Sequence, residues 1–190
     1  AKLLESLGHS VEMIKVPLDI ESLTLHYLTY YGFLSYMSIN FGRLTHGAAV
    51  DKSVLEPFTL GLAETFAKRK TKLLSSISTL VRSAKETEDK LEKDYDIIMT
   101  AVTTKRTPEI GYFSPLLDYK EIAWRGADFA SFLPLFNISG SPAISLPLGT
   151  ASNDMPVGVQ FVAPFGQDAL LLELALQLET AQPWKFIYDK

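Results

Sequence analysis

Cysteine is absent from the 190 residues, so the chain itself makes no disulfide, no thiolate zinc site and no cysteine nucleophile. Its absence is compatible with a reducing compartment, and a cytoplasmic location is expected. Histidine is scarce. His9, His26 and His46 lack the i, i+3 or i+4 spacing that sets two ligands on one helical face, so neither a metal nor a cofactor is expected. Positive charge is not in excess either. A formal net charge of -4 gives no basic surface for nucleic acid and no reason to expect an acidic membrane as partner. A membrane span needs about 20 predominantly apolar residues. The aromatic-rich stretch Leu23–Phe41 is interrupted by Thr24, His26, Thr29, Ser35, Ser38 and Asn40. Ala1–Leu4 has neither the apolar core nor the cleavage pattern of a secretory signal. Gly140 and Gly149 do not form a phosphate loop, because the glycine-rich sequence and its lysine are missing. With no internal repeat and no low-complexity linker, residues 1–190 read as one unit.

What is present is organised around Phe132–Trp184. Ala143–Leu148 and Val157–Val162 are short apolar runs, the second rich in β-branched residues, and both predict buried strands. The connector Thr150–Met155 carries the Asn153–Asp154 pair that turns favour, which predicts an antiparallel hairpin. A helix opening at Gln167 or Asp168 follows, with Leu171, Leu174, Ala175 and Leu178 on one face.

Upstream, Ala1–Gly8 reads as the last turns of a helix whose beginning is missing, so the chain is expected to open in mid-element. His9–Val16 alternates apolar and polar residues and stops at Pro17, which predicts a strand. Asp19 is a candidate cap for a helix whose apolar positions Leu23, Tyr27, Tyr30, Leu34, Met37 and Phe41 recur every three or four residues. Its tyrosines either line a pocket for an organic substrate or pack on a core with hydroxyls at the boundary. Arg43–Gly47 predicts a loop and Pro57 a second break. Helical spacing then runs through Leu60, Ala63, Ala67, Leu74, Ile77, Leu80 and Val81, with Lys68–Lys72 as a solvated basic face and Lys85–Asp94 as an exposed end. Tyr95–Thr100 predicts a buried strand, Pro108–Pro115 a loop, and Tyr119–Phe132 a helix capped by Asp118.

The order Asn137, Gly140, Pro142, Ala143, Ser145, Pro147, then Pro156, Gly158-Val159-Gln160-Phe161-Val162, then a leucine-rich helix, resembles the C-terminal end of amidase signature family enzymes. Gly158–Gly166 and the closing Gln182-Pro183-Trp184 are most similar to the branch containing 6-aminohexanoate cyclic dimer hydrolases. Leu7-Gly8-His9, Val11-Glu12, Pro17 and Asp19 extend the likeness to the chain start, whereas Thr100-Ala101 departs from the Thr-Pro pair often found there. The resemblance implies an α/β fold, the C-terminal part of a mixed β-sheet flanked by α-helices. It also implies amide hydrolysis through a serine acyl-enzyme, with a second serine in a cis peptide and a lysine base.

The chemistry that goes with this resemblance has no place in the chain. The family's serines sit in a Gly- and Ser-rich loop whose amides face the developing oxyanion. Ser75-Ser76, the only Ser-Ser pair, lies in a helical run without glycine, and no residue here is expected to be catalytic. Ser139-Gly140-Ser141 lacks a nearby general base in sequence, and Glu109, Asp118 and Glu121 read as surface carboxylates. The candidates for substrate contact are Phe136, Asn137, Ile138 and Ser139, read as a loop before the first hairpin strand. Asn137 either hydrogen-bonds a substrate amide or caps the turn before Gly140. The expectation is a C-terminal portion that lacks the catalytic core. Its partners would be the N-terminal half of the same protein, a small amide substrate, and a second copy if it dimerises. The alternative is a non-catalytic α/β binding module derived from such an enzyme.

Overall fold

The computed structural model describes residues 1–14, 20–152 and 154–185. The Asp19 cap, the end of the predicted strand at Val16 and Pro17, and Asn153 of the predicted turn lie outside the described residues. The elements in order are α1 (Lys2–Ser6), α2 (Ile20–Asn40), α3 (Gly42–Thr45), α4 (Pro57–Ala67), α5 (Leu73–Asp94), β1 (Ile98–Ala101), α6 (Tyr119–Phe129), α7 (Leu133–Ser139), β2 (Ala143–Thr150), β3 (Pro156–Val162) and α8 (Asp168–Ala181).

The sheet is built on β3, which pairs antiparallel with β1 on one side and β2 on the other. Phe161 stands opposite Met99 and Ile144, and Val162 opposite Ile98 and Ala143. The β2 register shifts between Leu146 and Gly149, where Pro147 has no N–H to give to a ladder. Opposite this bulge, a Cβ on Gly158 would stand 2.9 Å from Val102 Cγ2 and 3.0 Å from Ser145 Oγ, so only glycine lets the strands close there.

Side chains alternate across a strand, and β3 uses both faces. Phe161 enters a core with Leu4, Leu146, Leu171, Leu174 and Leu178, which packs α1 and α8 on one side of the sheet. Val162 enters a second core with Leu23, Leu80, Leu91, Leu135 and Phe136, which packs α2, α5 and α7 on the other. The α/β class therefore follows from one strand that is apolar on both faces, and the three strands described are antiparallel throughout. Among the described residues, no helix is long and apolar enough to cross a membrane.

Several expectations need correction. Residues 9–14 carry no strand, because they pair with no ladder and instead line a cleft beside β1. Gly42–Thr45 is a short helix where a loop was expected. The helical spacing from Leu60 to Val81 is not one helix: α4 ends at Ala67, and a 3₁₀ turn at Lys70–Lys72 leads into α5. The basic run thus sits at a junction, where Lys70 Nζ donates to Tyr36 Oη at 2.7 Å and lies 4.4 Å from the centre of that ring. Leu74 and Val81, expected on the apolar face of α5, are largely exposed, Val81 on the rim of an open pocket between helices, while the buried stripe is Ser76, Leu80, Ser83, Thr87 and Leu91. The Lys85–Asp94 end is accordingly exposed on one side only.

Candidate functional site

The candidate loop at Phe136–Ser139 is helical. Pro134 helps to open α7, and Gly140, at φ 76°, closes it in the left-handed conformation that glycine adopts without a Cβ penalty. The four residues of this last turn go to three places. Phe136 is buried in the core beside Leu23 and Val162. Asn137 and Ile138 face a pocket of about 480 Å³. Ser139 approaches Ser141 Oγ on the far side of Gly140.

The pocket is a product of helix packing. α2 supplies Tyr27, Tyr30 and Tyr31, α5 supplies Ile77, Leu80, Val81 and Ala84, and α7 supplies Asn137 and Ile138. Its volume falls in the usual range for small-molecule sites, which are mostly apolar with a few convergent polar groups. The polar groups here are close to one another. Tyr27 Oη donates to Tyr31 Oη at 3.1 Å, and their ring centres lie 4.6 Å apart. Burial pushes the Tyr27 phenol up to about 12, the hydrogen bond to Tyr31 and the Tyr31 charge add to this, and a hydrogen bond from the Asn137 side chain pulls the other way. Tyr27 is therefore a neutral donor at any ordinary pH.

A larger cleft, of about 1130 Å³, lies between residues 9–14, β1 and α8. Its carboxylates, Glu5, Glu12, Asp94, Asp96 and Glu173, come from separate segments. His9 Nε2 is engaged with Gln177 Oε1 at 2.8 Å. The Tyr95 phenol is raised because it hydrogen-bonds the Glu12 carboxylate. Among the described residues no nucleophile–base pair forms there, and the smaller pocket is the better candidate.

The serines singled out from the sequence are each engaged with other groups. Ser75 Oγ donates to the Lys72 carbonyl at 2.9 Å, and Ser76 pairs with His26 Nδ1 at 3.0 Å. A serine beside a histidine is the pairing that nucleophilic catalysis uses. Ser76, however, is 1% exposed in the middle of α5, where neighbouring N–H groups serve the helix and none is left for an oxyanion. Ser141 Oγ donates to Glu88 Oε1, and the other Glu88 oxygen accepts the Phe165 N–H at 3.1 Å. This carboxylate clasps the turns on either side of the hairpin to α5. Asp118 accepts the Lys120 N–H as the α6 cap, Glu121 pairs with Arg125, and Glu109 is exposed. No group of three or more His, Asp or Glu that could hold a metal occurs among the described residues.

Tyr31 and Glu88 escaped the sequence reading. Tyr31 follows Tyr27 by four residues, the spacing that puts two side chains on one face, so the pair was detectable from spacing. Glu88 was hidden in a run of alternating charges, and only the fold brings Ser141 and Phe165 to it.

With this helix-flanked sheet, the chain belongs to the amidase family, whose model matches residues 1–172. It is 41% identical over 184 residues to "Putative amidase AmiC" of Mycobacterium leprae, an alignment covering 97% of this chain and 39% of that protein. It is 43% identical over 100 residues to the 6-aminohexanoate-cyclic-dimer hydrolase of Paenarthrobacter ureafaciens, covering 49% of this chain and 20% of that one. The solved structure of a 6-aminohexanoate cyclic dimer hydrolase superposes with a TM-score of 0.79 at 28% identity, over 96% of this chain and 40% of that chain. The chain thus spans about 39% of the length of its mycobacterial relative.

Proposed function

We propose that this chain is the C-terminal portion of an amide hydrolase. In this reading residues 1–190 form one α/β unit that supplies scaffold and one wall of the substrate pocket. The bond-breaking groups belong to the part of the relatives' length that this chain does not span. The observation that carries the reading is the pocket between α2, α5 and α7, where Asn137 and the tyrosine hydroxyls sit at the edge of apolar walls within an amidase-family fold.

The substrate would be a small amide, with the cyclic dimer of 6-aminohexanoate as the first compound to test, since relatives of that name align with half of the chain. In the assembled enzyme, a serine oxygen bonds the carbonyl carbon and its proton passes to a lysine. The amine leaves with a proton, and water then releases the acid. Nucleophile, base and oxyanion donors must share one geometry for this to proceed. Here Ser75 and Ser76 are engaged with Lys72 O and His26.

The test combines an amide hydrolysis assay with a fluorophosphonate serine probe, both applied to the purified 190-residue chain. No turnover and no labelling are expected. Labelling of any serine together with turnover of the cyclic dimer by this chain alone would overturn the reading.

A further inference from the structure

The pocket between α2, α5 and α7 has an internal order of donors that specifies its ligand further. Among the described residues, no ionised side chain lines it: the walls are tyrosine, asparagine and aliphatic residues. A charged ligand would surrender its hydration there with no counter-charge in return. The apolar share of the lining, Ile77, Leu80, Val81, Ala84 and Ile138, accepts hydrocarbon.

The polar share is a chain with a direction. Asn137 stands on the same pocket lining as Tyr27 and Tyr31. The Tyr27 hydroxyl spends its one proton on Tyr31 Oη, 3.1 Å away. A phenol that accepts still has its own proton to give. Tyr31 therefore ends the series, 44% exposed on the lining of the pocket, as the donor left over for a ligand. Successive hydrogen bonds polarise one another, so the last donor in a series is stronger than an isolated phenol.

We propose that Tyr31 is a specificity-determining residue whose hydroxyl, oriented through Tyr27, donates to a carbonyl oxygen of an uncharged, hydrocarbon-rich amide held in this pocket. The proposal rests on the amide-hydrolase reading and deepens it by naming the ligand class, a neutral aliphatic amide in preference to a charged amino acid or its amide.

Binding of the cyclic dimer of 6-aminohexanoate to the 190-residue chain, followed by calorimetry or by the shift of the Asn137 side-chain amide resonance, tests it. The comparison set is the parent chain and the variants Tyr31→Phe, Tyr27→Phe/Tyr31→Phe and, outside the pocket on α6, Tyr119→Phe. Losing one neutral donor should weaken binding about 2- to 10-fold in Tyr31→Phe. The double variant should lose little more than Tyr31→Phe, because Tyr27 acts through Tyr31. Tyr119→Phe should bind like the parent, and zwitterionic linear 6-aminohexanoate should bind at least about tenfold more weakly than the dimer.

Thermal unfolding identifies any variant that has lost its fold. Should Tyr31→Phe fold but fail as a donor test by binding at parental affinity, or should the parent bind the zwitterion as tightly as the dimer, the proposal falls. It also falls if the parent does not bind the dimer. Serine labelling with turnover by this chain alone, by contrast, removes the reading that the bond-breaking groups lie outside it and leaves the Tyr31 comparison standing as a statement about ligand binding.

Discussion

Tyr27 shows how much one residue's environment decides. Its phenol is pushed up to about 12 from an ordinary value of 10, chiefly by burial and then by Tyr31. The folded state therefore holds this proton more tightly than the unfolded chain does. Below pH 10 both states keep it and the contribution to stability is fully present, whereas between pH 10 and about 12 the unfolded chain releases it first and stability falls as pH rises. Tyrosinate absorbance should show a late component to which Tyr27 and the raised Tyr95 both contribute, and Tyr27→Phe should remove its share of that component. Urea midpoints measured across the same window should fall less steeply for Tyr27→Phe than for the parent. Equal slopes would mean that Tyr27 is as solvated as an ordinary tyrosine.

At the scale of elements, the clasp at Glu88 joins α5 to two turns that are remote in sequence. Ser141 is 7% exposed, and its hydroxyl and the Phe165 N–H both end on this carboxylate. Glu88→Ala removes the acceptor of the buried Ser141 hydroxyl and of the solvent-exposed Phe165 N–H, and losing a buried hydrogen bond to a charged group costs about 1–3 kcal/mol. Urea unfolding should report a loss of at least about 1 kcal/mol, with faster exchange of the Phe165 amide. Glu88→Gln, which keeps one acceptor oxygen, should lose less. If Glu88→Ala unfolds at the parental midpoint, the clasp contributes nothing. The hairpin that this clasp anchors was legible in the sequence, because Ala143–Leu148 and Val157–Val162 are apolar runs bounded by proline, glycine and Asn153–Asp154. So was α8, from the spacing of Leu171, Leu174 and Leu178. The inner face of α5 was not. It is half hydroxyl, with Ser76 on His26 and Thr87 on the Ser83 carbonyl at 2.8 Å, and a search for apolar period selects Leu74 and Val81, which are solvated. The last turn of α7 was misread for a related reason. Phe136–Ser139 precedes a glycine and resembles loop sequence, yet Gly140 ends the helix after it. Asn137 was a candidate from its residue type, whereas its neighbours in space, Tyr27 and Tyr31, are defined only once α2 packs beside α7.

The whole molecule leaves apolar surface in the open on several elements. Leu172 and Leu176 on α8 are 59% and 65% exposed, and Leu44, Leu74, Trp124 and Phe165 are more exposed still. β1 and β2 each present an outer edge that pairs with no described strand. Large apolar patches and open edges are what contact surfaces look like before they are covered. The amide-hydrolase reading assigns the cover to the further length that the relatives possess. The isolated 190-residue chain should then bind a hydrophobic dye and associate as its concentration rises. Its β1 and β2 amides should exchange unevenly, with those facing β3 slow and those facing outward fast. Addition of a polypeptide corresponding to the unspanned part of the Mycobacterium leprae relative should lower the dye signal and slow the outward amides together. The two readouts distinguish specific cover from simple aggregation, because aggregation slows amides without requiring that partner. A monomer that binds no dye, and whose outward amides are indifferent to the added polypeptide, would mean that these residues make a self-sufficient module.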